Sequence, residues 1–337
     1  MTSPMRNAAL PSGFQLQRQS GSPEGRLLTL IVGSYNHRRY LDEAFEALGH
    51  TDGLEKLSVI FIDDGSTDGS LSHATSWPFD LKLHVRVFGK QNAGLRDSLR
   101  GGLELTETPY VAFMASDDRY EPVGLTTILQ RLAQANSPDL CWICQSTYLE
   151  GRNGEKVYDD RTAVLAAAAP AERLRQLSIS FPKPLLLQST VFGTAMLRRA
   201  GAFSDPIILD DWPTFLRVAR YATRAPVDIA FLPDVVLCRY RLHEGGAHNN
   251  IERQLALCLE VADTLVEPPL RREAKARIYM DIGLIHLFEH KWSDALNLFV
   301  RGLIYHPSPS MFALVPRRAC ASLIKRLVAR AKRWRLS

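Results

Sequence analysis

Apolar and polar positions alternate in blocks from about residue 26 onward. Leu27–Val32, Leu57–Ile62, Leu83–Phe88 and Tyr110–Met114 are short apolar runs rich in β-forming side chains. The first is closed by Gly33 and the second by Asp63-Asp64-Gly65. Runs this short, bounded by turn residues, read as strands. Helical periodicity lies between and after them, around Tyr40–Leu48, Thr67–Ser76, Gly94–Leu105 and Leu125–Ala133. Strand alternating with helix predicts βαβ units and a largely parallel sheet. Such sheets bind ligands at the carboxyl ends of their strands. Ser34-Tyr35-Asn36, Asp63-Asp64 and Asp117-Asp118 stand at those ends.

The pattern then loosens. Asn153-Gly154 predicts a turn, and Ala163–Leu177 predicts one helix despite Pro170. Strands and a helix at Trp212–Ala222 alternate between Pro184 and Asn250, and from Ile251 the chain reads as helical. Arg272 to Pro307 predicts two amphipathic helices joined near His290-Lys291. Within them Ile278, Gly283, Leu287, Trp292, Ala295, Phe299 and Pro307 resemble one tetratricopeptide-like hairpin. A repeat array needs about three copies to be stable, so a helical pair packed on the catalytic domain is the expectation. The organisation expected is a flexible segment over 1–25, an α/β domain over 26–250, a helical domain over 251–315 and a basic tail over 316–337.

Of 337 residues, 46% are apolar and 23% charged, an ordinary globular balance. No apolar run approaches the roughly 18–20 residues of a membrane-spanning helix. The first 25 residues show no secretory h-region, and five cysteines (Cys141, Cys144, Cys238, Cys258, Cys320) make no disulfide framework, so a cytoplasmic location is expected. Eight Lys or Arg and no acid fall between Pro316 and Ser337; they exceed the whole net charge of +5 and leave the other 315 residues at −3. The high isoelectric point thus belongs to the tail, which argues against nucleic acid as partner. Cys320, Leu323, Ile324, Leu327, Val328, Ala331 and Trp334 fall on one helical stripe with the charges largely off it. Such a helix reads either as an element at an anionic membrane surface or as packing on the helical domain.

Adjacent carboxylates carry the chemistry. In Ile62-Asp63-Asp64-Gly65-Ser66-Thr67-Asp68 and in Ala115-Ser116-Asp117-Asp118, a strand ends in two acids that repel each other unless a cation sits between or near them. Mg2+ or Mn2+ held by one or two carboxylates and by substrate phosphates suits the second pair. A calcium loop fits the first poorly, because Thr75 occupies the place of the bidentate glutamate. Asp210-Asp211-Trp212-Pro213 reads as a helix start. Cys141-Trp142-Ile143-Cys144 has no second pair, and strand alternation would turn its thiols to opposite faces. His73, His84, His286 and His290 read as surface or structural, and Gly101-Gly102 as a close helix contact.

Taken in order, these stretches resemble the inverting family 2 glycosyltransferases of the GT-A fold. They are Val32-Gly33-Ser34-Tyr35-Asn36; Ile62–Asp68; Asn92-Ala93-Gly94; Ser116-Asp117-Asp118 with Pro122; Asp210-Asp211-Trp212 with Leu216-Arg217; and Tyr240-Arg241-Leu242-His243. The resemblance covers residues 27–250. It implies an α/β, Rossmann-like, mostly parallel sheet flanked by helices, here with a C-terminal helical extension. It implies that Gly33 and Tyr35 flank a nucleotide base, that Asp64 accepts from a base N–H, that Asp117 meets the ribose and that Asp118 ligates the metal, with His243 as a further metal or phosphate contact. Asp211 would be the general base. Two departures stand out: Ala115 replaces an acid common two places before the Asp-Asp pair, and Leu99-Arg100 replaces Arg-Asn. The expected activity is transfer from a UDP- or dTDP-linked sugar to a glycan or lipid-linked acceptor in cell-surface polysaccharide assembly. The alternatives are a non-catalytic nucleotide-sugar or glycan-binding scaffold, which would have no need to keep Asp64, Asp118 and Asp211 together, and a nucleotidyltransferase, whose phosphate loop Ser34–Arg38 does not match.

Overall fold

The computed structural model describes residues 10–150, 153–180, 185–242 and 250–307. The chain divides into two compact units, Met1–Arg173 with Leu185–Gly246, and Leu174–Pro184 with Ala247–Ser337. The first unit is built on one nine-stranded sheet. Its strands are β1 (Gln15–Ser20), β2 (Leu28–Ser34), β3 (Leu57–Asp63), β4 (His84–Gly89), β5 (Tyr110–Ala115), β6 (Arg119–Tyr120), β7 (Leu140–Tyr148), β8 (Thr190–Gly193) and β9 (Asp228–Tyr240), in the order β1-β4-β3-β2-β5-β8-β7-β9-β6. The helices are α1 (Arg38–Gly49), α2 (Ser70–Ser76), α3 (Leu95–Leu105), α4 (Pro122–Leu132), α5 (Asp160–Ala167), α6 (Pro170–Ile179), α7 (Thr194–Arg199) and α8 (Asp211–Ala222).

The four apolar runs become β2 to β5, all parallel. Every residue of β2 and β3 is buried, which is why these strands read as continuous rather than alternating apolar sequence. From β2 the chain crosses through α1 to β3 on one side; after β4 it returns through α3 to β5 on the other. Strand order therefore reverses between β3 and β5, with β2 in the middle. The crevice beyond the carboxyl end of β2 lies at that reversal. Register places Ser34 opposite Asp63 and Gly33 opposite Ala115, so the loops carrying the acids open from one edge.

Two expectations are corrected. Within the segment expected to be a flexible lead-in, residues 15–20 form β1, antiparallel to β4. Its residues are mostly exposed, as an edge strand's are, and Gln15, Gln17, Arg18 and Gln19 left no apolar alternation to read. Phe14 beside it is buried on α3, where a Cβ at Gly101 would stand 2.2 Å from the ring. The single helix expected over Ala163–Leu177 is two. α5 stops at Ala167, and Pro170 opens α6, the position where its missing N–H costs nothing. The Arg173 guanidinium donates to the carbonyls of Leu165, Ala166 and Ala168 at 2.6–3.1 Å, closing the end of α5.

The second unit contains α9 (Ile251–Thr264), α10 (Pro268–Phe288) and α11 (Trp292–Tyr305). α10 and α11 form the expected hairpin, turned at His290 with φ 62°. Gly283 lies against Phe299 and Gly302 against Met280, so a Cβ at either would crowd its neighbour. Trp292 departs from the hairpin pattern and is 64% exposed. No described helix is long and apolar enough to cross a membrane. The tail 316–337 lies outside the described residues.

His84 supplies a test of the packing on β4. Its Nδ1 is 2.9 Å from Ser58 Oγ, and burial, helped by Arg86 and Arg26, pushes the imidazole pKa down to about 4. In the unfolded chain it protonates near 6.5, so the unfolded state binds more protons between pH 6.5 and 4. Stability should fall as pH drops through that window, by roughly 3 kcal/mol at most. Urea midpoints at pH 7.5 and 5 should differ, and His84→Gln should shrink the difference.

Candidate active site

The loops after β2 and β3 are stitched together before any ligand is considered. Asn36 takes a left-handed conformation, φ 56°, and its Oδ1 accepts from Thr67 N at 2.9 Å. Its own N–H donates to Ser66 Oγ at 2.9 Å, and Arg38 N donates to Asp68 Oδ2 at 2.8 Å. Asp63 is buried and its Oδ1 accepts from Ser66 N at 2.8 Å, so the first acid of the pair shapes the turn. Gly65, at φ 77°, completes that turn; a Cβ there would also press on Asn92 N at 2.9 Å. Gly33 lies buried in β2 against Leu95, while Tyr35 stands 46% exposed beyond the strand.

Asp64 is buried, and its carboxylate ties β3 to the loop after β4. Oδ1 accepts from Ala93 N at 2.9 Å and from Lys90 Nζ; Oδ2 accepts from Gly94 N at 2.8 Å. Lys90 also reaches Asp97 Oδ2 at 3.2 Å. Burial alone would raise the Asp97 carboxyl, but hydrogen bonds from Arg100 and Lys90 outweigh it and hold the pKa below its ordinary value. Arg100 is paired with Asp97 and Glu104 on α3.

The second acid pair follows β5. Asp117 Oδ1 is 3.7 Å from His37 Nδ1, which itself lies 2.9 Å from Ser116 Oγ. Asp118 is 2% exposed. Its Oδ1 accepts from Arg241 N at 2.8 Å, and its Oδ2 is buried with no hydrogen-bond partner among the described residues. Burial, then the Asp117 charge, push the Asp118 carboxyl well above the usual range; Arg241 opposes this and Asp211 adds to it. Arg241 is the clasp of this region. It donates from Nε to Asp117 O at 2.7 Å, pairs with Glu43 and Glu150, and covers the Tyr40 ring at 4.7 Å.

At the third pair the roles divide. Asp210 Oδ1 accepts from Asp211 N at 2.9 Å and caps α8. Asp211, 9% exposed, accepts from Leu187 N at 2.7 Å through Oδ1. The segment carrying Leu187 is fixed in turn by Tyr158, whose hydroxyl accepts from Leu186 N at 2.9 Å and meets Ser189 Oγ at 2.6 Å.

Gly33, Tyr35, Asp64, Asp117 and Asp118 thus stand at the carboxyl ends of β2, β3 and β5, and the Asp211 charge reaches Asp118. His243 lies outside the described residues. Lys90, Glu43, Glu150 and the clasp role of Arg241 escaped sequence reading. For Lys90 the available signal was a lone cation between an apolar strand and the Asn92-Ala93-Gly94 turn. Among the described residues no three His, Cys, Asp or Glu converge as a ready-made metal cage. The buried free oxygen of Asp118 nevertheless fits one ligand position of a cation whose other ligands come from elsewhere. The CxxC cysteines are buried, and burial raises the Cys141 thiol to about 12, so they are core side chains rather than metal thiolates.

A largely parallel sheet with carboxylates gathered at its order reversal is an α/β fold that takes a ligand at the carboxyl ends of its strands. Residues 29–202 match the family described as glycosyl transferase family 2, and the chain belongs to that family. A cholesterol galactosyltransferase of Borreliella burgdorferi is 30% identical over 123 residues, 36% of this chain and 33% of that protein. A minor teichoic acid biosynthesis protein of Bacillus subtilis is 28% identical over 129 residues, 38% of this chain and 14% of that one. The matches to the first curated relatives span about a third of their length. Among solved structures, S. aureus TarS 1–349 in complex with UDP-GlcNAc superposes with TM-score 0.58 at 20% identity, covering 86% of this chain and 84% of that one. A Pyrobaculum calidifontis mannosyltransferase in complex with GDP-Man and Mn2+ gives 0.53 at 19% identity, covering 90% and 83%. These structural likenesses establish the GT-A fold.

Proposed function

We propose that the chain transfers a sugar from a UDP- or dTDP-linked donor to a hydroxyl of a glycan or lipid-linked acceptor, with inversion at the anomeric carbon, in cell-surface polysaccharide assembly. The observation that carries the reading is the buried Oδ2 of Asp118, without a hydrogen-bond partner among the described residues, with Asp117 and Asp211 both adding negative charge around it. A cation there would neutralise this charge and give Oδ2 a partner. Mn2+ or Mg2+ held at Asp118 Oδ2 supplies stabilisation of the departing nucleoside diphosphate. The Mn2+ and nucleotide sugars named for the structural neighbours support that choice, and the teichoic acid relative supports the polysaccharide setting.

The remaining roles belong to side chains. Tyr35 offers an exposed ring to one side of a flat base, and the backbone at Gly33, packed against Leu95, borders it at the end of β2. Asp64 accepts an N–H of that base, and Asp117 accepts from a ribose hydroxyl. Arg241 pins Oδ1 of Asp118 through its backbone N–H, which fixes where Oδ2 points. Asp211 takes the proton of the acceptor hydroxyl. Leu187 N–H holds one of its oxygens, so the carboxylate meets the acceptor in a set orientation.

Two outcomes test this reading. Asp211→Asn should bind the donor nucleotide within about twofold of the unaltered chain yet lose turnover by roughly 10²–10⁴-fold. If Asp210→Asn shows that loss and Asp211→Asn does not, the base is assigned to the wrong residue. Asp118→Asn should lose the dependence of UDP binding on Mn2+ in calorimetry; full transfer activity in excess EDTA would contradict the metal requirement.

A further inference from the structure

We propose that Lys90 is a positioning residue for base recognition, one that fits Asp64 to a uracil or thymine nucleotide and against guanine. This rests on the reading of Asp64 as the acceptor for the base. The Lys90 side chain follows β4 and is 2% exposed. Its ammonium has three N–H groups, and three acceptors surround it: Asp64 Oδ1, Gln91 O at 3.2 Å and Asp97 Oδ2 at 3.2 Å. The Phe14 ring covers it at 6.0 Å. Lys90 therefore has no N–H left to offer a ligand, and its influence passes through Asp64.

A carboxylate has about four acceptor positions. Oδ1 of Asp64 uses both of its own on Lys90 Nζ and Ala93 N, while Oδ2 uses one on Gly94 N. One position remains, on Oδ2. Uracil and thymine present a single ring N–H between two carbonyls, which one free position satisfies. Guanine presents its ring N–H beside an exocyclic amine, a paired edge that is best met by both oxygens of a carboxylate. With Oδ1 committed, Asp64 leaves one of those two donors unmet, which is costly in a closed site. Lys90 also balances charge: with Arg100 it offsets Asp64 and Asp97, so the carboxylate that meets the base carries its own counter-ion.

Calorimetry with UDP and with GDP at fixed Mn2+, on the full chain, tests this. The unaltered chain should bind UDP at least about tenfold more tightly than GDP. Lys90→Met should weaken UDP about tenfold or more and GDP far less, bringing the two within about threefold. In an Asp64→Asn background, adding Lys90→Met should change UDP affinity by less than about twofold, because the lysine acts through that carboxylate. Should methionine fail to fold there, Lys90→Gln serves, and the UDP-to-GDP ratio is read within one protein whatever its folded fraction. An unchanged ratio in Lys90→Met, or a full added loss in the double variant, overturns the inference alone. Binding of neither nucleotide by the unaltered chain overturns both the inference and the reading beneath it.

Discussion

A carboxylate oxygen removed from water without a hydrogen-bond donor is costly, and more so beside other negative charges. Asp118 Oδ2 is in that position: buried, without a partner among the described residues and adjacent to Asp117, with Asp211 adding its field. The surrounding structure makes sense as the means of keeping it there. Arg241 holds the other oxygen through its backbone N–H, and its guanidinium is clamped by Glu43, Glu150 and the Asp117 carbonyl. β6, one residue past Asp118, pairs with β9 just before Arg241, which fixes the two segments in register. Stability spent in this way is characteristic of a site completed by a ligand.

A second charge network stands beside it, at the ends of β3 and β4. There Asp64 and Asp97 share Lys90 as counter-ion, and Arg100 pairs with Asp97 as well. The contrast divides the crevice. On the β3–β4 side the carboxylate of Asp64 already has its cation in Lys90, which suits a neutral base. The β5 side carries excess negative charge and suits a cation with its phosphates. Phe14 and Gly101 show how far the support extends, since a residue ahead of the first strand packs on α3 and covers the lysine.

Much of this was legible in the sequence because burial on both faces writes a strand as an unbroken apolar run. Leu57–Ile62 and Tyr110–Met114 announced β3 and β5, and the acids that follow them marked the crevice. β1 was not legible: an exposed edge strand has no buried face to pattern Gln15–Ser20. Pro170 did break the predicted helix, and its place at the start of α6 shows that the break was a boundary rather than a kink. Motif resemblance singled out Asp64, Asp118 and Asp211 but could not show what the neighbouring acid of the first and third pairs holds. Hydrogen bonds decide that, and they gave Asp63 to its turn and Asp210 to its cap. Lys90 and Glu43 lie far from Asp64 and Arg241 in sequence, so only the folded chain brings those charges together.

The central claim is that Asp118 is buried to hold a cation that carries the donor's diphosphate. A crystal grown with UDP and Mn2+, measured at the manganese absorption edge, tests it most directly. The account predicts one anomalous peak at coordination distance from Asp118 Oδ2 that also touches the diphosphate. A bound UDP with no manganese at Asp118, or a peak on other side chains, would contradict it.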